Sequence, residues 1–225
     1  MDTDVLRRAP LFASLDDEAF AALTEEITEV DLSRGSALFY EGDPGDQLYF
    51  IVSGKIKLGR TASDGRENLV AIMGPGEIFG EMALFNPAPR NATATAVSAT
   101  RLAGLRHENL RRAIASSPDV SLQLLQALAQ RLSKTNESLA DLVFSDVPGR
   151  VAKALLDLAD RFGRPATDGV LVAHELTQEE LAQLVGASRE TVNKALAEFV
   201  QRGWIRLEAR AVVILDLQRL KQRSR

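Results

Sequence analysis

A carboxylate and a guanidinium nine residues apart, Glu81 and Arg90, carry the clearest chemistry in this sequence. A carboxylate can accept hydrogen bonds from two sugar hydroxyls, and an arginine beside it can pair with a phosphate group. Asn91 adds an amide donor next to the arginine. These residue types suit a ribose phosphate. Their spacing alone is better explained by a surface Glu–Arg ion pair in a β-turn, because such pairs are common.

The backbone just before this pair suits an anion as well. Gly80 and Glu81 are expected to begin a short turn or helix. The N–H groups of the three following residues would be exposed there and would face a negative charge. These three residues are Met82, Ala83 and Leu84.

Residues 176–199 have the pattern of a complete helix-turn-helix. Thr177 and Glu180 form a capping box ahead of the first helix, Gly186 supplies the sharp turn, and Ser188 is a good N-cap for the second helix. The predicted apolar faces are Leu181, Leu184 and Val185 in the first helix and Val192, Leu196 and Phe199 in the second. A helix pair of this kind is typical of proteins that bind specific DNA.

The other face of the second predicted helix begins with four polar side chains: Arg189, Glu190, Asn193 and Lys194. In a major groove, arginine makes bidentate contacts with guanine and glutamate accepts from the cytosine amino group. Adjacent Arg and Glu side chains can also be plain solvated charges. The candidate phosphate contacts are Thr177, Gln178 and Ser188, of which Thr177 and Ser188 would cap helices in any case.

The net charge of −4 is divided unevenly along the chain, with about −7 on residues 1–149 and +3 on residues 150–225. A surface that faces phosphates is therefore expected in the C-terminal third. Because +3 is modest, DNA affinity would depend on the local placement of Arg and Lys and on two subunits binding together.

Composition argues against several other classes of protein. The chain has no cysteine, which excludes disulfides, iron–sulfur clusters and thiol redox sensing. Its two histidines, His107 and His174, are far apart, so no metal site is expected. The sequence contains no P-loop and no nucleophile elbow, and an enzyme is not expected. The absence of a membrane-spanning apolar run and of a signal-peptide pattern predicts a cytoplasmic protein.

The elements that must position these residues belong to an α+β fold. Residues 4–29 are predicted to form one or two short helices with this apolar set: Leu6, Leu11, Phe12, Phe20, Leu23 and Ile27. From about residue 30 to 105, short runs of β-formers alternate with Gly, Asp and Pro, which predicts an antiparallel jelly roll or sandwich.

A long helix is predicted to follow, with Ser117 as N-cap, Pro118 at its first position and an end near Phe144. Its apolar face is Val120, Leu124, Leu128, Leu132, Leu139 and Leu142. This face favours coiled-coil pairing with a second copy, and the alternative is packing on its own β-domain. Asp146 would cap the next helix, which would end at Gly163. Two strands around residues 208–210 would form a wing, followed by a short basic helix.

Three stretches together resemble the cyclic AMP receptor protein family (Crp/Fnr superfamily) of bacterial transcription regulators, and most closely its actinobacterial branch. They are residues 76–96 (GEIFGEMALFNPAPRNATATA), 146–156 (DVPGRVAKALL) and 176–196 (LTQEELAQLVGASRETVNKAL). The resemblance implies a cyclic nucleotide-binding domain over 1–117, a dimerisation helix and hinge over 118–145, and a winged helix-turn-helix over 146–225. It also implies cAMP as effector, a homodimer on palindromic DNA with TGTGA-like half-sites, and contact with RNA polymerase.

The resemblance implies individual roles in the nucleotide pocket. Gly80 and Glu81 would hold the ribose, and Arg90 would pair with the cyclic phosphate. Asn91 departs from the Ser or Thr of many relatives, which puts ligand affinity in question. Thr135 would read the adenine amino group, a role compatible with a polar residue that fixes coiled-coil register. Asn136 of the partner helix would also contact the base. Leu69 and residues 93–96 would form an apolar wall of the pocket, although a place in the interior of the β-domain explains these residues equally well.

In the mechanism that these roles suggest, nucleotide favours one arrangement of the helix pair, and the hinge at residues 144–146 then sets the spacing of the two recognition helices. Two alternatives stay open. A regulator of the same fold could respond to another effector or to none, and a cyclic nucleotide-binding module could regulate without any DNA role. A gel-shift assay on a TGTGA palindrome separates this module from a cAMP-responsive DNA-binding regulator.

Overall fold

The computed structural model describes residues 6, 7, 12, 15–65, 67–85, 88–116 and 118–224. The expected roles of Leu11 in the first apolar set and of Ser117 as a helix cap lie outside the described residues. The chain divides into two compact units: Met1–Arg60 with Val70–Ser133, and Thr61–Leu69 with Lys134–Arg225.

The first unit contains the predicted β-domain. A helix, α1 (Asp17–Glu25), precedes eight strands: β1 (Thr28–Leu32), β2 (Ala37–Phe39), β3 (Gln47–Ser53), β4 (Ile56–Thr61), β5 (Glu67–Met73), β6 (Ile78–Phe79), β7 (Thr93–Ala96) and β8 (Thr100–Arg106). They form two four-stranded sheets, in the orders β1-β8-β3-β6 and β2-β7-β4-β5. The pairing is antiparallel, for example from Thr28↔Gly104 to Leu32↔Thr100 between β1 and β8. The predicted antiparallel jelly roll is thus confirmed.

The β1-β8-β3-β6 sheet is covered on both faces, because successive side chains of a strand point to opposite sides. One face joins the other sheet in a buried cluster: Ile51, Ile56, Met73, Phe79, Ala94, Ala96 and Leu102. The other face packs under helical residues in a second cluster: Leu6, Phe12, Leu15, Leu23, Leu48, Phe50, Ala103, Leu105, Leu110, Ala113, Val120 and Leu124. This double burial gives the β-domain a firm frame for the loops at its edge.

A one-turn helix, α2 (Met82–Phe85), lies between β6 and β7. Two further helices follow β8: α3 (His107–Ser116) and the long helix α4 (Pro118–Phe144), which has the predicted start and end. Only Val120 and Leu124 of α4 are buried. Leu128 is half-buried, and six other large apolar side chains further along are more than half exposed: Leu125, Leu132, Leu139, Leu142, Val143 and Phe144.

After the end of α4, the described residues of the second unit form four helices and one sheet. The helices are α5 (Val147–Phe162), α6 (Gln178–Val185), α7 (Arg189–Gln201) and α8 (Leu217–Arg223), and the strands are β9 (Gly163–Ala166), β10 (Gly169–Val172), β11 (Ile205–Glu208) and β12 (Ala211–Ile214). The strand order is β11-β12-β10-β9. The predicted cap at Asp146, the end of α5 at Gly163 and the wing strands are confirmed. None of the described helices has the length and apolar character needed to cross a bilayer.

The hairpin of β9 and β10 was not predicted. Gly163 and Pro165 in β9 are residues that strands usually avoid, so the sequence of β9 does not look like a strand. Proline is tolerated at a sheet edge, and β9 is an edge strand.

In the core of the second unit, side chains from all four helices pack around Val192, Leu196 and Phe199. Trp204, three residues after α7, stacks on Phe199 with 5.4 Å between ring centroids.

Candidate functional site

Arg90 of the first unit has a buried guanidinium, and the residue is only 7% exposed. It donates to the carbonyl oxygens of Gly80 (3.1 Å) and Gln47 (2.8 Å) and lies 4.3 Å above the ring of Phe39. Burial lowers the pKa of Arg90, against the raising effect of Tyr49, yet a guanidinium keeps its charge in proteins. Its Nε atom is buried and has no hydrogen-bond partner. A charged donor therefore remains available for an acceptor.

The loop between β2 and β3 fixes the backbone of this arginine. Arg90 N donates to Asp43 O and Gly42 N donates to Arg90 O, both at 2.8 Å. Gly45 leaves room for the side chain, since a Cβ there would lie 3.3 Å from Arg90 Cζ. The turn-rich sequence at residues 41–46 thus serves to hold Arg90 in place.

Glu81 lies beside the arginine and is 1% exposed. Its Oε1 accepts from Arg131 Nη1 of α4 at 2.5 Å, and Arg131 also donates to Ile78 O at 2.9 Å. The other oxygen, Oε2, is buried without a hydrogen-bond partner. An ionised carboxylate that is deeply buried needs a positive neighbour, and Arg131 supplies it. The second oxygen is left able to accept a hydroxyl.

Glycine is required at position 80 for two reasons. Its φ is +81°, in the left-handed region, and an added Cβ would lie 2.7 Å from Arg90 Nη1 and 3.0 Å from Gln47 O. The Gly80 carbonyl oxygen also lies 3.3 Å from His107 Nε2. Burial lowers the pKa of His107. The tight approach of these groups leaves no space for a side chain.

We expect Gly80→Ala to lower the free energy of unfolding by about 1–3 kcal/mol, because it adds backbone strain and a clash with the buried guanidinium. Urea unfolding followed by circular dichroism measures this change. Gly76→Ala is the matched control, since Gly76 has a similar φ of +89° but no atom near the added Cβ. Equal losses in the two variants would contradict a steric role for Arg90.

A concave cavity of about 160 Å³ opens beside these groups. One water needs only about 10–15 Å³, so the cavity can admit a larger polar ligand. Its lining is Phe39, Leu58, Gly80, Glu81, Met82, Ala83, Ala88, Pro89, Arg90, Asn91, Ala92 and Arg131. The structure thus brings together the residues that were predicted from the β-domain sequence. Glu81 and Arg90, which carry an orphan acceptor and an orphan donor, both belong to this lining, and these atom types suit a hydroxyl and an anion.

One prediction about this cavity was wrong, and one lining residue was not predicted. Leu69 and residues 93–96 do not line it; Ala94 and Ala96 belong to the core between the sheets, and the apolar wall includes Phe39 and Leu58. Arg131 was missed, although a lone arginine interrupting a helix with apolar stripes is a usable signal. Asn91 Nδ2 lies 3.0 Å from Met82 Sδ, which fixes the amide beside Arg90.

Thr135 and Asn136 lie on α4, and both are exposed. Neither belongs to the lining of the cavity, to which α4 contributes Arg131. Thr135 follows Arg131 by four residues, so the two share one face of the helix. The role of this pair stays a prediction.

The second unit contains the helix-turn-helix as predicted. Thr177 Oγ1 accepts from Glu180 N (3.1 Å) while Glu180 Oε2 accepts from Thr177 N (2.8 Å), which completes the capping box. Gly186 adopts a φ of +69° in the turn. Ser188 Oγ then accepts from Thr191 N (3.2 Å) and starts α7. These caps fix the angle at which the second helix leaves the first.

Most of the predicted DNA contacts are exposed on these two helices. Six of the seven side chains are exposed: Thr177, Gln178, Ser188, Arg189, Glu190 and Lys194. Lys194 Nζ pairs with Glu190 Oε1 at 2.7 Å along the helix. Asn193 is half-buried, and its Oδ1 atom is buried without a partner. The surface offers donors and acceptors at the start of α7, where a recognition helix meets base edges.

Comparison with known proteins gives matches for both units. The family model of the cyclic nucleotide-binding domain matches residues 29–117, and that of the Crp-like helix-turn-helix domain matches residues 149–223. A CRP-like cAMP-activated global transcriptional regulator of Mycobacterium tuberculosis is 55% identical over 222 residues, 99% of each chain. The Cyclic AMP receptor protein of Thermus thermophilus is 35% identical, covering 96% of this chain and 97% of that protein.

Among solved structures, FixK2 from Bradyrhizobium japonicum matches with a TM-score of 0.80. The match covers 88% of this chain and 98% of that one, at 23% identity. At that identity the likeness concerns the fold alone. It supports a β-domain followed by a helix-turn-helix unit in one chain.

Proposed function

The chain belongs to the cyclic AMP receptor protein (Crp) family of transcription regulators, in its actinobacterial branch, and on this premise we propose that it is a cAMP-responsive homodimer that reads palindromic DNA. The two matched domains and the named relatives support a cAMP-responsive, DNA-binding regulator. The relatives are named as transcriptional regulators, and we expect no enzymatic activity. A role on DNA implies action in the cytoplasm.

The observation that carries the proposal is one cavity lined by two residues, Glu81 and Arg90, each of which has an orphan polar atom. Glu81 Oε2 can accept the ribose 2′-hydroxyl, and Arg90 Nε can donate to the cyclic phosphate. Cyclic AMP supplies this hydroxyl and this anion on one small molecule. Arg131 pairs with the other oxygen of Glu81, Oε1. The cavity therefore fits a ribose phosphate with a matched acceptor and a matched donor.

The base would be read on α4. Thr135 lies one helical turn beyond Arg131, and we assign to it the adenine amino group, with Asn136 contributed by the partner subunit. Both side chains are exposed, so they are accessible to a base or to a second helix. Binding that touches both copies of α4 would favour one arrangement of the pair.

The dimer is supported by the apolar surface of α4. Leu132, Leu139 and Leu142 are 61%, 57% and 51% exposed, and their spacing is that of a coiled-coil seam. Soluble proteins rarely leave such rows of leucines in water, and they usually mark an interface. We infer that a second copy covers them.

On DNA, Arg189 would contact guanine and Glu190 cytosine, with Asn193 and Lys194 completing the base-facing surface. Thr177, Gln178 and Ser188 would contact phosphates. Two-fold symmetry then places two recognition helices one DNA turn apart on a near-palindrome, for which TGTGA half-sites are our proposal. We also propose that a further surface contacts RNA polymerase.

The test is a titration of the purified protein with cAMP and cGMP, with and without a TGTGA palindromic duplex, at fixed salt. We expect a dimer by sedimentation, one cAMP bound per subunit, and operator affinity raised by about 5–150-fold at saturating cAMP, the usual range of allosteric coupling. A monomer, or operator affinity that is unchanged by cAMP, would refute the proposal. DNA binding without a cAMP response would indicate another effector, and cAMP binding without DNA binding would indicate a regulatory module.

A further inference from the structure

Arg150, in the first turns of α5, makes three hydrogen bonds to backbone carbonyls in two separate places. Its Nη1 donates to Ser145 O at 2.8 Å, its Nε to Val185 O at 3.1 Å and its Nη2 to Gly186 O at 3.3 Å. Ser145 follows the last residue of α4, whereas Val185 and Gly186 end α6. One half-buried side chain thus connects the end of the long helix to the turn that precedes α7.

The electrostatics of this position favour a guanidinium. The last carbonyls of a helix lack intrahelical partners and carry its negative dipole end. Arg150 lies between two such ends, those of α4 and α6. Its planar fork can reach carbonyls on both sides at once, which the single ammonium of a lysine cannot do.

Other contacts bring the same parts together. A Cβ placed on Gly186 would lie 3.1 Å from Leu142 Cδ2, so the last turn of α4 lies directly against the turn before α7. Lys153 of α5 pairs with Asp141 of α4 at 2.6 Å. The end of α4 therefore contacts the turn before α7 and also pairs with α5. Arg150 is the side chain that bonds both to the residue after α4 and to that turn.

We propose that Arg150 is a positioning residue for DNA binding, which transmits the orientation of the end of α4 to the recognition helix α7. Arg150 bonds to the residue directly after α4 and to the turn from which α7 starts, so a rotation at one is passed to the other. This inference rests on the proposed function, because it concerns how a nucleotide signal that travels along α4 reaches the DNA. Two of the five N–H donors of Arg150 stay available, so a direct phosphate contact is the competing explanation.

The test compares Arg150→Gln, Arg150→Lys and the control Arg219→Gln, which removes one positive charge from an exposed position on α8. A fluorescein-labelled TGTGA palindrome is titrated with each dimer, with and without saturating cAMP, and fluorescence anisotropy gives the ratio of the two dissociation constants. Calorimetry measures cAMP affinity, and circular dichroism on heating checks folding.

For Arg150→Gln we expect unchanged cAMP affinity and a ratio that falls about fivefold or more towards one. In Arg150→Lys the ratio should also fall towards one, because a positive charge alone does not bond to both carbonyl sites. Arg219→Gln should weaken DNA binding slightly and equally in both states, as a lost phosphate attraction does.

Two results would overturn the inference. The first is a wild-type ratio in Arg150→Gln, which includes an equal loss of affinity with and without cAMP, and the second is full recovery of the ratio in Arg150→Lys. If Arg150→Gln fails to fold, Arg150→Lys decides the outcome alone. A wild-type protein that shows no response to cAMP would refute the proposed function instead, so the two failures are distinguishable.

Discussion

Arg90→Ala is expected to weaken cAMP binding by roughly 100-fold and to abolish the effect of cAMP on operator affinity. A charge-assisted hydrogen bond to a buried anion contributes about 1.5–3 kcal/mol, and the substitution removes both the orphan Nε donor and the charge that attracts the phosphate. Calorimetric titration with cAMP measures the loss, and anisotropy with the TGTGA duplex measures the response.

The same substitution has a structural cost. Arg90 also donates to Gly80 O and Gln47 O, and truncation leaves these carbonyls with fewer partners. We expect a loss of about 1–3 kcal/mol of unfolding free energy, and the domain stays folded if its stability is ordinary. Arg101→Ala is the matched control in this unit, because Arg101 is exposed and pairs with Asp31 at the surface.

The control should bind cAMP as the wild type does. Arg90→Lys refines the result, since lysine keeps the charge but loses the fork that holds both carbonyls. If folded Arg90→Ala still raised its operator affinity normally with cAMP, the pocket would be assigned to the wrong residues.

Arg189→Ala is expected to give the second large effect, a loss of specific operator affinity of tenfold or more. A bidentate arginine–guanine contact is worth about 1–3 kcal/mol of discrimination, and a two-fold dimer loses the contact in both half-sites. Affinity for an unrelated duplex should fall far less, because that binding depends mainly on phosphates. Competition anisotropy with the TGTGA palindrome and with duplexes changed at single base pairs measures both effects.

Arg219→Ala is the control for lost charge in this unit. It should lower affinity for both duplexes alike and leave the preference between base pairs unchanged. If Arg189→Ala did the same, the arginine would be a phosphate contact and the base-reading assignment would be wrong.

Local signals predicted the helix-turn-helix in detail. The capping box at Thr177 and Glu180, the turn at Gly186 and the cap at Ser188 each depend on residues within a few positions, and all are present in the structure. The same holds for α5, which begins at its cap Asp146. Caps and turns are local, so a sequence pattern can specify them.

Contacts between distant segments were not accessible in this way. The pairing of Glu81 with Arg131 joins residues 50 positions apart. The lone arginine in an apolar helix singles out Arg131, but nothing in the local pattern of either residue indicates the other as its partner. The hydrogen bonds of Arg150 to Val185 and Gly186 are of the same kind. The β9–β10 hairpin was missed because its glycine and proline residues interrupt the alternation of apolar and polar residues that indicates a strand.

The placement of the aromatic residues has a practical consequence for spectroscopy. The single tryptophan, Trp204, stacks on Phe199 in the second unit, whereas both tyrosines, Tyr40 and Tyr49, belong to the first. Emission excited at the red edge of the absorption band therefore reports only on the half that carries the recognition helix. Thermal unfolding of the second unit can therefore be followed by tryptophan fluorescence without labels. Tyrosine signals from the same sample report on the first unit.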